Sequence, residues 1–318
     1  MVPWLTNPVK QPFSFIIVHK ITYSSRLRYL VVTFAALLLA GCIHVPIQPQ
    51  LNHSSANSSK QQFTRCTPNI SLSQESATAK SGLSPKRISV LSWNMYKQAR
   101  DNWATDFHRL SHDQDLIILQ EAYMDDRLTS VLSESPYNWA MTTAFFYRDN
   151  ANGVLTASRN KSNRHCALYA KEPLIQTPKS ILISTYPMVG TNQYLLVANV
   201  HGINFTLGLE SYRQQFKALH KVLQNHQGPL ILAGDFNSWR NDRQAILDKL
   251  SHDLSLQRVG YKSHRRITVF GNPIDHVYYR GLEIVQTSSP SVTSSDHNPL
   301  LVTFKVAEPQ HKRYAKTP

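Results

Sequence analysis

From Lys86 onward the chain repeats one pattern: short runs of Val, Ile and Leu alternate with longer amphipathic stretches, and several runs break directly into polar residues. Runs this short, spaced by segments of helical periodicity, specify a mixed α/β domain and exclude a coiled coil. Strands are predicted over 88–93, 115–120, 139–146, 154–158, 180–186, 194–201, 229–233, 274–279 and 300–305, and helices over 99–110, 209–224 and 243–250. The polar breaks are Trp93-Asn94, Gln120-Glu121, His201 and Gly234-Asp235-Phe236-Asn237. Function concentrates where strands end in loops. The sequence carries no internal repeat, Walker motif, Gly-rich phosphate loop or His/Cys zinc spacing.

The N-terminal part has a different character. Residues 1–42 contain Lys10, Lys20, Arg26 and Arg28 and no acid, with an apolar run over 29–39 that is too short to span a bilayer comfortably. The run ends in Leu39-Ala40-Gly41-Cys42, which resembles the lipobox of bacterial lipoproteins. The resemblance implies cleavage after Gly41, a lipid on Cys42, export and membrane attachment; Ile43 in place of Asp favours the outer membrane. An uncleaved anchor is the alternative. The long stretch before Arg26 departs from the pattern and suggests a translation start downstream of Met1. Residues 43–85, rich in Ser, Asn, Gln, Thr and Pro, read as a flexible tether. The expected division is signal peptide 1–41, tether 42–85, catalytic domain 86–307 and basic tail 308–318, in a monomer. Cys66 and Cys166 could pair in an oxidising compartment, but two free thiols are the plainer reading.

The charge survives this division. The whole chain has 34 basic and 20 acidic residues, a formal net charge of +14; without 1–42 it is +10, and from Lys86 onward it is +8. Such an excess suits a polyanion or an anionic surface. Lys161 to Arg164, Lys262 with Arg265-Arg266, and Lys312-Arg313 could contact one, or could be solvated loops. Trp239, Tyr261, Tyr278 and Tyr279 could stack on bases, although aromatics beside strands usually belong to the core.

Taken singly, the polar breaks are ambiguous. Asn94 could be a turn former, Glu121 a surface carboxylate, Asp235-Phe236-Asn237 an Asx turn, and His201 a hydrogen-bonded core histidine. Taken in order, Asn94, Glu121, His201 with Asn204, Asp235 with Asn237, Asp275, and Asp296-His297 resemble the motif series of the endonuclease/exonuclease/phosphatase superfamily. Its most specific pieces are Leu91-Ser92-Trp93-Asn94, Ile118-Leu119-Gln120-Glu121, Gly234-Asp235-Phe236-Asn237 and Ser295-Asp296-His297-Asn298-Pro299-Leu300. Gly153 to Ser158 looks like its glycine-led strand, and Trp93 to Gln98 resembles the start of a small uncharacterised bacterial branch. The implied fold is that of deoxyribonuclease I, two packed mixed β-sheets flanked by helices in a four-layer α/β sandwich.

The resemblance also implies roles. Glu121 would be the principal ligand of Mg²⁺ or Mn²⁺, with Asn94 beside it and Asp296 helping. His297 would be general base or phosphate-orienting residue, with Asp275 fixing its tautomer. Asp235 and Asn237 would position water and phosphate, and His201 would meet a phosphate oxygen or act as acid, with Asn204 alongside. Histidine at 201, where apurinic-site enzymes of the superfamily typically have tyrosine, argues against a dedicated repair enzyme.

Three readings follow. The first is a metal-dependent phosphodiesterase acting on extracellular or periplasmic nucleic acid, and the second an enzyme of the same fold acting on a phospholipid or inositol-phosphate head group. The third, a catalytically silent surface-binding lipoprotein, has no need of so complete a set of polar residues. A long exposed aromatic hairpin would favour lipid, and none is evident in the sequence.

Overall fold

The computed structural model describes residues 43–46, 50–54, 65–67, 78–261 and 265–308. The expected signal peptide, the lipobox cysteine, Lys262 and the basic tail from 309 lie outside the described residues.

In chain order the elements are β1 Ile43–His44, β2 Gln50–His53, β3 Ile88–Asn94, α1 Trp103–Ser111, β4 Leu116–Tyr123, α2 Asp126–Ser133, β5 Asn138–Tyr147 and β6 Asn150–Ser158. The second half holds β7 Arg164–Lys171, β8 Pro178–Pro187, β9 Tyr194–His201, α3 Glu210–Leu223, β10 Leu230–Asp235 and α4 Asn241–Asp253. Short strands β11 Gln257–Arg258, β12 Thr268–Val269 and β13 Asn272–Pro273 precede β14 Asp275–Arg280, β15 Leu282–Ser288 and β16 Leu300–Val306.

Two mixed sheets carry the fold. One runs β1-β5-β6-β4-β3-β16-β15, with β2 also on β5; the other runs β11-β14-β10-β9-β8-β7. Their facing sides share one core, in which Ile88, Val90, Ile118 and Phe304 meet Leu195, Val197, Ile231 and Val277. The outer face of the first sheet is covered by α1 and α2 through Trp103, Phe107, Leu128 and Leu132. The outer face of the second is covered by α3 and α4 through Tyr212, Phe216, Leu247 and Leu250. These are the four layers expected. Central strands such as β9 and β10 are buried along their whole length, which is why they read as unbroken apolar runs.

Polar groups also cross between the sheets. Asn199 of β9 accepts a 2.8 Å bond from Gln120 Nε2 and donates to the carbonyls of Leu119, at 3.0 Å, and Leu155, at 2.9 Å. This buried amide fixes one sheet against the other just behind the loops at the strand ends.

Three features differ from expectation. Strands β7 and β15 carry Arg, His, Gln and Glu and lie at sheet edges, so their sequences lack the apolar signature. The helix expected from 99 begins at Trp103, because a 3-10 turn over Tyr96–Gln98 comes first and Asn102 is left-handed at φ 64°. The described parts of the expected tether are docked: β1 and β2 pair with β5, Arg65 bridges to Ala167, and Cys66 is disulfide-bonded to Cys166. Free thiols are therefore corrected to a disulfide that closes a sequence separation of 100. Main-chain pairing and one covalent bond hold these described parts without an apolar core of their own.

Candidate active site

Strand direction gathers the site. β3 and β4 run parallel, and β9 and β10 run parallel, so Asn94, His201 and Asp235 stand at C-terminal strand ends, and Gln120 lies opposite Asn94 where the pairing of β4 with β6 shifts. β14 is antiparallel to β10 and places Asp275 opposite Asp235, while β16 is antiparallel to β3 and sets His297 just before its start. The His297 loop is pinned to the Asn94 loop: Trp93 Nε1 donates to the His297 carbonyl at 3.0 Å, and Ser295 Oγ donates to the Asn94 carbonyl at 2.7 Å.

Asp235 lies at the centre. One of its oxygens accepts from Asn94 Nδ2 at 3.1 Å and Asn237 Nδ2 at 3.3 Å, the other accepts the Asn237 backbone N–H at 2.9 Å, and His201 Nε2 is 3.6 Å away. His297 Nδ1 is 2.8 Å from Asp275 Oδ2, and one donor atom each of Asp235, Asp275 and His297 lie within 4.8 Å of one another. Glu121 reaches to 3.8 Å from His201 Nε2. Asp296 is exposed at the mouth, 4.0 Å from His297 Nε2. Glu121 and Asn237 are held at φ 50° and 49°, a left-handed conformation sustained only by the surrounding contacts.

Asn204 is the one expected residue turned elsewhere. Its side-chain oxygen accepts Trp239 Nε1 at 2.9 Å, its N–H donates to Glu172, and its carbonyl accepts from Arg243 at 2.8 Å. It braces the loop after His201 and joins no hydrogen bond of the Asp235 cluster among the described residues. Arg243, fully buried, also donates to the carbonyls of Ile203 and Asn237, tying that loop to the Asp235-Phe236-Asn237 turn.

Two lysines escaped the sequence reading. Lys97, itself left-handed at φ 54°, is paired with Glu121, and Lys179 Nζ lies 2.9 Å from His201 Nε2. Lys97 falls inside the Trp93 to Gln98 stretch and could have been noticed there; Lys179, alone at a strand start, left no signal. Tyr278 and Tyr279 are core residues, not stacking platforms.

Burial pushes the Glu121 carboxyl up, but the ammonium charges of Lys97 and Lys179 outweigh it and hold the group below its ordinary range. Burial, with the same two lysines, holds His201 well below the ordinary histidine value and keeps it neutral. For Asp235, burial and the neighbouring Asp275 charge raise the carboxyl to about 6 against the pull of His297. Burial opposes a charge on His297, yet Asp275, Asp235 and Asp296 together raise it to about 10.

An anionic carboxylate, a buried amide, a charged imidazole with its orienting carboxylate, and a turn gripping the central acid are groups chemically suited to phosphate-ester hydrolysis. The model of the Endonuclease/Exonuclease/phosphatase family matches residues 91–297, and the chain belongs to that family of phosphoester hydrolases. It is 38% identical over 262 residues to a UPF0294 protein of Vibrio vulnificus (strain YJ016), covering 82% of this chain and 89% of that one. Among solved structures it is similar to the human Nocturnin catalytic domain with bound sulfate anion, with a TM-score of 0.57 at 20% identity, covering 71% of this chain and 97% of that chain. It is also similar to ANGEL2, a 2′,3′-cyclic phosphatase in complex with adenosine-2′,3′-vanadate, with a TM-score of 0.53 at 14% identity, covering 73% and 99%. At these identities the two structures speak for the fold alone.

Proposed function

We propose that this chain is an exported, divalent-metal-dependent phosphodiesterase. The observation that carries the reading is the convergence of Asn94, Glu121, His201, Asp235, Asn237, Asp275 and His297 from separate strand ends onto one buried cluster.

The residues fit the metal that the family implies. Glu121 and Asn94 offer oxygen donors, suited to Mg²⁺ or Mn²⁺, and the Lys97 ammonium seated on Glu121 marks a place that accepts a cation. Glu121 would be the principal ligand, with Asn94 beside it and Asp296 at the mouth. The ion would supply charge for the phosphorane-like transition state and the leaving alkoxide. Asp235, ionised at neutral pH yet basic for an aspartate, would take the proton of the attacking water, which Asn237 would help orient. Of the two roles open to His297, the raised pKa favours orientation: its Nε2–H would hold a phosphate oxygen while Asp275 fixes the ring. Neutral His201, with the Lys179 ammonium at its Nε2, puts a second positive group against the phosphate.

Export is supported by the lipobox-like Cys42 and by the Cys66–Cys166 disulfide, a bond favoured in an oxidising compartment. The net charge admits nucleic acid, the substrate expected first. The positions of the cations divide on that expectation: Lys161, with Arg164 at the start of β7, sits at the end of the sandwich opposite the site, whereas Arg265 and Arg266 lead into the β12–β13 hairpin at the site's end.

The test is hydrolysis by the purified chain of soluble bis(p-nitrophenyl) phosphate, plasmid DNA, abasic oligonucleotide, sphingomyelin and phosphoinositides, with Mg²⁺ or Mn²⁺ against EDTA. Activity should appear only with metal and fall by about 10²–10⁴-fold in Glu121→Ala and in His297→Ala. Full activity in either variant, or in EDTA, overturns the mechanism.

A further inference from the structure

The mouth of the site is rimmed with side chains that water does not favour. Leu207 is 88% exposed and Phe270 84%, and Leu174, Ile175 and Phe205 are about half exposed. All five stand on segments at the same end of the second sheet: the β7–β8 turn, the loop after His201, and the β12–β13 hairpin before Asp275.

Named contacts join them into one surface. The carboxylate of buried Glu172, at the root of the Leu174-Ile175 turn, accepts the N–H groups of Asn204 and Phe205. Asn204 in turn holds Trp239 Nε1, and the Trp239 ring meets Phe270 edge-on with centroids 5.9 Å apart. Phe270 is costly twice over. It occupies the first position of a two-residue hairpin turn at φ 50°, followed by Gly271 at φ 81°, where Asn or Gly is the ordinary choice, and it projects into solvent. Strain and exposure thus combine in one residue.

Basic residues predominate in the segments that carry these side chains, with Asp242 beside Trp239 and Asp296 at the mouth as nearby acids. Segments 171–179, 202–209 and 265–274 contain Lys171, Lys179, Arg265 and Arg266, and their sole acid is the buried Glu172. Aliphatic side chains such as Leu174, Ile175 and Leu207 gain little from stacking on bases, whereas they partition readily into the acyl boundary of a bilayer, with basic neighbours meeting anionic head groups. Resting on the phosphodiesterase reading of the site, we infer that this rim docks on an anionic lipid bilayer and that the phosphodiester hydrolysed is one presented at that surface.

The test reads insertion at the rim itself, so attachment elsewhere in the chain does not confuse it. The full chain is bound to vesicles of phosphatidylcholine and phosphatidylglycerol, the phosphatidylcholine brominated in its acyl chains. Quenching of Trp239 is taken as the difference between the wild type and Trp239→Phe. The inference expects strong quenching of Trp239, reduced roughly threefold or more in Leu207→Ser/Phe270→Ser, with the melting midpoint of that variant preserved. Equal quenching in the double variant, or none in the wild type, overturns it. So does a loss of single-stranded DNA affinity in the double variant with quenching unchanged, which would assign the rim to base stacking. Hydrolysis of bis(p-nitrophenyl) phosphate by the wild type is measured separately; its absence removes the enzymatic reading, and quenching alone then decides the lipid contact.

Discussion

At the scale of single residues the site depends on how charges hold one another. Asp275 keeps His297 protonated, so Asp275→Asn should lower kcat by about 10²-fold while leaving the ring in place. In the metal-free protein, the His297 resonance followed by NMR should titrate near 10 in the wild type and markedly lower in that variant. An unchanged titration would show that Asp275 is not the partner. Most of this site was legible only as an ordered series at strand ends that resembles a known family, because each carboxylate, amide or imidazole taken singly has an ordinary structural use. Lys97 and Lys179 were not, since a lone lysine has the same appearance on any surface. Leu207 and Phe270 were hidden for the opposite reason: an apolar residue in a sequence reads as core until its exposure is known.

Among the elements, β10 and its flanks set the tolerance of the site. Gly234 lies at φ 141°, and a Cβ there would stand 2.0 Å from the Val200 carbonyl oxygen, so Gly234→Ala should destabilise by about 3 kcal/mol or more in denaturant titration. Asn199→Ala would leave Gln120 and two buried carbonyls without their partner and should cost about 2–3 kcal/mol. His276 on β14 gives a pH signature. Burial, then the charges of Arg266 and Arg258, lower it to about 3, while its Nε2 rests 2.8 Å from Ser238 Oγ. An unfolded chain takes up this proton near pH 6.5, but the folded chain cannot until about 3. The stability from neutral His276 is thus complete above pH 6.5 and lost as pH falls toward 3, a change on the order of 5 kcal/mol. Melting curves across that window should flatten in His276→Gln. The central strands were readable because burial on both faces demands apolar residues. The edge strands β7 and β15 were not, because main-chain hydrogen bonds on one side ask little of side-chain chemistry.

For the whole molecule, the Cys66–Cys166 bond closes a separation of 100 residues, and in the chain-entropy view its loss removes up to about 4–5 kcal/mol. Cys166→Ser should lower the melting temperature and open the segment around Cys66 to proteolysis; unchanged values would mean that pairing of β1 and β2 with β5 suffices by itself. Cys42→Ser should abolish metabolic lipid labelling, and retained labelling would exclude the lipobox reading. The register of β1 carries a geometric consequence. Ile43, the residue after Cys42, pairs with Tyr147 at the end of β5 that lies beside the C-terminal ends of β4 and β3, where Glu121 and Asn94 stand. A chain acylated at Cys42 would have no leash between acyl group and sandwich. Its single tie point would sit on the catalytic pole, so the enzyme would search for its substrate in two dimensions, mouth down, instead of sampling the volume above the membrane.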